Sequence, residues 1–264
     1  MDRTYAVTGS ASGIGAATAA WLRARGDRVI GCDLRDADVR GDLSTRAGRA
    51  ALVDGVTRLC GGRLAGVVAN AGGGPPETML ALNFFGAVAT VEGLRPLLAT
   101  SAAPRAVLIS SVAALGPLDP GLVDACLGGD EAAAVAASQA WIAAGGSPGH
   151  LYGSAKHALN RWCRRAAVEP AWAGAGIPLN VIAPGVVDTP AAAWILSDPG
   201  HREEMWRRVP LPAARPARPE QIAALIAWCV SPENAVMTGQ VLFVDGGLEC
   251  AALANVRSAA ASRS

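Results

Sequence analysis

The stretch Y-A-V-T-G-S-A-S-G-I-G-A-A-T-A-A-W-L-R-A-R-G, residues 5–26, decides the fold. Tyr5–Thr8 reads as a short buried strand, and residues 14–25 carry the alanine-rich pattern of a packed helix. Between them lie Gly9, Gly13 and Gly15, with Ser12 and Ile14 interleaved. Glycine there lets the chain turn sharply and lets an anion approach the backbone, while the helix offers its free first-turn N–H groups. Glycine spacing alone is weak evidence. A strand before it and a helix after it supply the context of a dinucleotide pyrophosphate site.

The rest of the chain repeats that unit. Candidate strands at Arg28–Asp33, Gly66–Asn70, Ala106–Ser110, Leu179–Ile182 and Gln240–Val244, with a weaker one at Val39–Asp42, alternate with helical segments near 45–60, 77–98, 153–173 and 219–230. The alternation predicts an α/β fold: one Rossmann-type domain over residues 1–250, a doubly wound parallel sheet with helices on both faces. Residues 117–149 break the rhythm. Turn signals (G-P, D-P-G, G-G, S-P-G) bracket an alanine-rich helix that Asp130 can cap and Gly145 can end, so a helical insertion is expected. Residues 251–264, small and polar, read as a flexible tail.

Bulk properties exclude several function classes. A net charge of +1 leaves no electrostatic footprint for nucleic acid or an anionic membrane. The longest strongly apolar run, residues 222–230, is too short to span a bilayer. Six cysteines without C-x-x-C spacing, behind a start that lacks a signal-peptide core, read as reduced thiols in the cytoplasm. Three histidines lack ligand spacing, so no metal is expected. The remaining partner is a small-molecule substrate.

Of the 23 lysines and arginines, only Lys156 is a lysine, and it stands four residues after Tyr152, one of two tyrosines. At that spacing the two share one face of a helix. A phenol is a poor proton shuttle at neutral pH, and a neighbouring ammonium is expected to pull its pKa into the working range. A compact ammonium fits beside a phenol and can reach ribose hydroxyls; a planar guanidinium cannot replace it. Asp33 ends the second strand, eighteen residues after Gly15. Its carboxylate can accept from both adenosine ribose hydroxyls and repel a 2′-phosphate, which favours NAD(H). Arg35, two residues on, could pair with that phosphate unless it points away.

In order along the chain, T-G-x-x-x-G-I-G, Asp42–Leu43, N-A-G at 70–72, Y-x-x-x-K, N-V-I-A-P-G at 180–185, Thr189 and V-D-G-G at 244–247 resemble the short-chain dehydrogenase/reductase family. The resemblance runs from Thr8 to Gly247 and implies an oxidoreductase that interconverts a secondary alcohol and a ketone with NAD(H). It implies that Asp42 and Leu43 border the adenine, and that Asn70, Ala71 and Gly72 support the crevice. Pro184, Gly185, Val187 and Thr189 would face the nicotinamide. By the family pattern Ser111, rather than Ser110, holds the reacting oxygen and Tyr152 exchanges the proton. Lys156 tunes it, and Asn83 bends its helix and holds a water that relays protons to the lysine. Tyr152 and Lys156 would also touch the cofactor.

Ser111 and Tyr152 are 41 residues apart, a gap far longer than in many members of that family. The long gap, with G-C-D-L-R-D-A-D-V-R-G-D-L-S-T, is most similar to the bacterial 3α-hydroxysteroid dehydrogenase/carbonyl reductase branch. That similarity implies a hydrophobic substrate such as a 3α-hydroxysteroid or a xenobiotic carbonyl. The family also implies a homodimer or homotetramer. The insertion would block the usual helix pairing or roof the active site, so assembly on another surface is expected. Residues 190–214, with Trp194, Ile195, Leu196, Met205 and Trp206, read as an apolar, mobile substrate lid, and His157 and His201 as solvated. Redox of a secondary-metabolite or aromatic alcohol, a non-redox lyase and a cofactor-binding sensor are the competing functions. A sensor would be expected to lose Tyr152 or Lys156, and both are present.

Overall fold

Seven parallel strands form one sheet in the order β3-β2-β1-β4-β5-β6-β7. The computed structural model describes residues 3–261. The first half contains β1 (Thr4–Thr8), α1 (Gly13–Ala24), β2 (Arg28–Asp33), β3 (Val39–Arg40), α2 (Arg46–Leu59), β4 (Gly66–Ala69), α3 (Ala87–Leu98) and β5 (Arg105–Ile109). The second contains α4 (Pro120–Leu127), α5 (Glu131–Ala143), α6 (Pro148–Ala166), β6 (Leu179–Pro184), α7 (Ala193–Leu196), α8 (Pro199–Arg208), α9 (Pro219–Cys229), β7 (Val241–Val244) and α10 (Leu248–Ala261). All seven expected strands form, with ends shifted by a residue or two.

Side-chain alternation along the strands builds both faces. Ala6, Val67, Ala106 and Leu108 point into a core shared with Leu52 and Val56 of α2, Leu94 of α3 and Leu159 of α6. Tyr5, Val7, Val68, Val107 and Ile109 point the other way, against Leu22 of α1 and Ile222 and Ile226 of α9. The strand order reverses between β1 and β4. A crevice opens there at the carboxyl ends of the strands, where open α/β sheets bind ligands.

The insertion is two helices rather than one. Asp130 caps α5 as expected, its Oδ1 accepting from Ala133 N at 3.1 Å, and Gly145 follows the helix end at φ 79°. The unexpected α4 is capped by Asp119, whose Oδ1 accepts from Leu122 N at 2.8 Å. It packs along α6, while α5 packs on α4 and on the Pro76–Gly86 segment that leads into α3. Glu131 of α5 pairs with Arg46 at 3.2 Å and with the buried Arg49, both on α2. Much of α6 between Leu151 and Asn160 is buried, packed against β6, α4, the Val112–Leu115 turn and the Ala81–Gly86 segment. Residues 251–261 of the expected tail are helical, and 262–264 lie outside the described residues. Among the described residues no helix is long and apolar enough to cross a membrane.

Candidate active site

The glycine turn forms the crevice floor. Gly9 and Gly13 have φ of 67° and 51°, a region where a Cβ is strained. At Gly15 a Cβ would collide with the Gly9 carbonyl, so only glycine lets α1 start this close to β1. Ser12 precedes α1 but makes no side-chain cap, and the first-turn N–H groups beyond it, including Ile14, receive no side-chain acceptor.

Thr8 and Asn70 stitch the two sides of the switch point together. Thr8 Oγ1 accepts from both Asn70 N and Ala71 N at 2.9 Å, and Asn70 Nδ2 donates to Thr8 O at 3.0 Å. The sequence reading named Asn70, Ala71 and Gly72 and missed the Thr8 hydroxyl. Its partners are backbone N–H groups some sixty residues away, which no local pattern marks.

At one end of the crevice, Gly9, Asp33, Leu34, Asp42, Leu43, Leu52, Ala71 and Leu82 line a slot. Asp33 Oδ2 accepts from Ala11 N at 3.0 Å and Oδ1 from Leu34 N at 2.7 Å, which fixes the carboxylate at the end of β2 with lone pairs to spare. The Asp42 carboxylate is turned to Ser44, accepting from its N and Oγ, so Asp42 contributes wall rather than a free acceptor. Arg35 is exposed.

At the other end, β6 delivers Pro184 and Gly185. A Cβ on Gly185 would lie 2.9 Å from Asp245 Cα, so the loop packs backbone to backbone there. Val187 bridges to Ala217, and Thr189 Oγ1 donates to Val187 O at 3.3 Å. The Thr189 methyl lies against Gly13, which joins this loop to the glycine turn. Beyond it α7 and α8 contain no buried residue, Trp194 is exposed, and its ring meets His201 at 5.9 Å.

Between these ends stand Ser111, Tyr152, Lys156 and Asn83. Ser111 follows β5, and its Oγ accepts from Ala113 N at 3.1 Å; its hydroxyl stands near enough to the Tyr152 phenol to draw that group's pKa down. Lys156 is 2 % exposed, and its Nζ donates to Ile109 O at 2.8 Å. The Ser110 hydroxyl donates to Lys156 O at 3.3 Å, which ties α6 to β5 a second time and gives Ser110 the structural part expected of it. Asn83 sits in a widened π-type turn, Ala81–Gly86. Its Nδ2 donates to Gly73 O and Met79 O at 2.8 Å, and its Oδ1 accepts from Gly73 N at 2.9 Å. Both amide hydrogens are spent on backbone, so the side chain fixes the Gly72–Gly73 loop. A Cβ on Gly72 would lie 2.9 Å from Asn83 Oδ1 and 3.3 Å from Lys156 Nζ.

Two expectations change. Burial raises the Tyr152 phenol above its ordinary pKa, and the nearby Ser111 hydroxyl draws it back only in part. Burial pulls the Lys156 ammonium down to about 7. In the protein alone desolvation therefore outweighs the pairing that was expected to acidify the phenol. His157 is also not free in solvent. Its Nδ1 lies 3.1 Å from Ala114 O, whereas the His201 side chain is 58 % exposed.

The chain matches, over residues 9–249, the sequence family described as enoyl-(acyl carrier protein) reductase. It is 38% identical to the 3-alpha-hydroxysteroid dehydrogenase/carbonyl reductase of Comamonas testosteroni, over 92% of this chain and 95% of that protein. The 3-alpha-hydroxysteroid dehydrogenase of Pseudomonas sp. B-0831, solved with NADH, superimposes with a TM-score of 0.84 at 39% identity, covering 94% of this chain and 97% of that one. The Pseudomonas aeruginosa RhlG/NADP complex superimposes at 0.72 with 29% identity, covering 93% and 96%. Structural relatives thus include complexes with either form of the nicotinamide dinucleotide.

Proposed function

The chain belongs to the short-chain dehydrogenase/reductase family, and from that premise we propose that it reduces hydrophobic ketones and oxidises the corresponding secondary alcohols with NAD(H). The observation that carries the reading is the buried Lys156 amine over the Tyr152 ring, one helical turn away and beside the glycine crevice, with Ser111 at the end of β5 acting on the same phenol. The residues fit a dinucleotide. Gly9, Gly13 and Gly15 leave room for a pyrophosphate against uncapped N–H groups, and Asp33 has acceptor capacity for a ribose diol. Leu43 and Ala71 would flank the adenine. Gly185, Val187 and Thr189 would lie beside the nicotinamide, which supplies or accepts a hydride when bound.

Tyr152 O–H gives its proton to the carbonyl oxygen during reduction, and the tyrosinate form takes the alcohol's proton during oxidation. Ser111 Oγ holds that oxygen beside the phenol. A donor aimed at developing alkoxide charge acts without reorganising at the moment of reaction. Lys156 stabilises the tyrosinate left behind, and Asn83 keeps the Gly72 backbone against the ammonium. Asp33 favours NAD(H) over NADP(H) by like-charge repulsion of a 2′-phosphate. The exposed apolar side chains Leu115, Trp194 and Leu211 suit a hydrophobic substrate, with α7 and α8 acting as a mobile lid. We favour 3α-hydroxysteroids and xenobiotic carbonyls, by likeness to the Comamonas protein.

Free cysteines throughout agree with a cytoplasmic setting. Helix α4 of the insertion packs along α6, so a homodimer would form on another surface, and light scattering showing a symmetric tetramer would oppose this. The test of function is loss of NADH absorbance with a panel of ketosteroids and cyclic ketones. No turnover of any panel member with either cofactor would end the reading.

A further inference from the structure

We infer that His157 is a positioning residue for this reaction: its Nδ1–H holds the turn that orients Ser111. The inference rests on the catalytic part given above to Ser111, but its geometry stands apart from it. Ser111 Oγ accepts from Ala113 N, so the placement of the hydroxyl follows the placement of the Val112–Leu115 turn. That turn closes on itself through Ala114 N to Ser111 O and Gly116 N to Ala113 O, both 3.1 Å. The next bond of the series would run from residue 117 to Ala114 O. Residue 117 is Pro117, which has no N–H. Ala114 is buried, and a buried carbonyl needs a donor. The His157 ring nitrogen 3.1 Å away supplies it. A carbonyl only accepts, so the imidazole must carry its proton on Nδ1.

Gly153 lies one helical turn before His157, on the same face of α6. A Cβ there would stand 2.8 Å from Ala113 O. Gly153 therefore lets the turn approach the helix, and His157 sets its register. Ser154 extends the seam, its Oγ accepting from Asp119 N at 3.0 Å. Tyr152 and Lys156 occupy the neighbouring face. One rigid helix thus carries both the proton donor and the peg for the turn that places Ser111 beside it.

Two measurements on the full-length protein test this. Nitrogen-15 NMR of the histidine rings in the wild type should find a proton on Nδ1 of His157; an unprotonated Nδ1 overturns the inference, and no variant is needed. Steady-state kinetics should then compare His157→Leu with His157→Asn, using NADH and the ketone of the panel that the wild type reduces fastest. His157→Leu should lower kcat about tenfold while KM for both substrates stays within about twofold, because misplacing a group near the reacting atoms costs rate rather than binding. His157→Asn, whose amide N–H stands near the Nδ1 position, should recover most of the loss. Adding Pro117→Ala to His157→Leu restores a local N–H and should recover part of it. Wild-type kcat in His157→Leu, or a loss shared in full by His157→Asn, overturns the inference. If the wild type reduces no ketone, the oxidoreductase reading fails, and the NMR result still decides the His157 contact.

Discussion

The Lys156 ammonium nitrogen lies 5.6 Å from the centroid of the Tyr152 ring and donates to the Ile109 carbonyl at 2.8 Å. The charge therefore addresses the ring face and a strand end in the protein alone. A cation over an aromatic face contributes on the order of 1 kcal/mol, too little to offset burial of the phenol. Tyr152 is thus a neutral phenol near pH 7, the form that can donate a proton to a carbonyl oxygen.

Replacing Lys156 by arginine tests whether charge alone suffices. The ammonium is enclosed by Ile109 O, the Tyr152 ring and the Gly72 backbone, with a Gly72 Cβ position only 3.3 Å away. A planar guanidinium needs more space and a different donor geometry. Lys156→Arg should lose most activity, about 100-fold or more in kcat, the scale of removing one acid–base or electrostatic element. Steady-state NADH oxidation measures it, and an active variant would undo the size argument.

Tyr152→Phe removes the proton donor and little else. The phenyl ring keeps the packing against Lys156, and the Ser111 hydroxyl retains Ala113 N as a partner. Turnover should fall by at least 10³-fold, in the upper part of the range for general acid–base groups. NADH affinity, followed by fluorescence titration, should stay within a few-fold. Retained turnover would remove Tyr152 from the chemistry.

Asp33 sets the cofactor preference in this reading. Its carboxylate is held by Ala11 N and Leu34 N at the slot that Leu43 and Ala71 also line. Asp33→Ala should raise KM for NADH by about tenfold, the scale of one charge-assisted hydrogen bond pair, and lower the NADH-over-NADPH ratio of kcat/KM. An unchanged ratio would take Asp33 out of the site.

The strands other than β3 were legible because each is a short, mostly apolar run closed by a turn residue, and the glycine turn was legible because three glycines stand between a strand and a helix, two of them at φ angles that favour glycine and the third where a Cβ would clash. Helix starts were less so. Asp119-Pro120-Gly121, Ser147-Pro148-Gly149 and Asp198-Pro199-Gly200 all look like turns, yet each is a helix start with the polar residue capping and proline in the first turn. This is why α4 and α8 were not foreseen as helices and α6 begins five residues earlier than expected. Proline supports turn and helix start alike, and only packing on α6 or α7 decides between them. In the site, residue types marked Tyr152, Lys156 and Asp33. The contacts of Thr8, Ser110 and His157 were invisible because their partners are backbone atoms distant in sequence. The balance at the Tyr152–Lys156 pair was misjudged because spacing reveals proximity and says nothing about desolvation.

That desolvation makes a prediction about stability. The Lys156 amine titrates near 7 in the folded protein and near 10.5 in an exposed chain. Between those values the unfolded chain holds a proton that the folded chain lacks, so this group makes stability rise with pH, by up to about 1.4 kcal/mol per pH unit. Below pH 7 both states carry the proton and the contribution is flat. Other groups act in the opposite direction. Burial raises the thiols of Cys32, Cys126, Cys163 and Cys229 to about 12, so above pH 9 they ionise only in the unfolded chain and favour it. Comparison with Lys156→Met cancels them, because the thiols are common to both proteins. Urea unfolding at pH 7.0 to 9.0 without cofactor should therefore show the wild type gaining on Lys156→Met at each step. A constant difference across that range would mean that the amine keeps its proton in the folded state, held by Ile109 O and the Tyr152 ring despite burial.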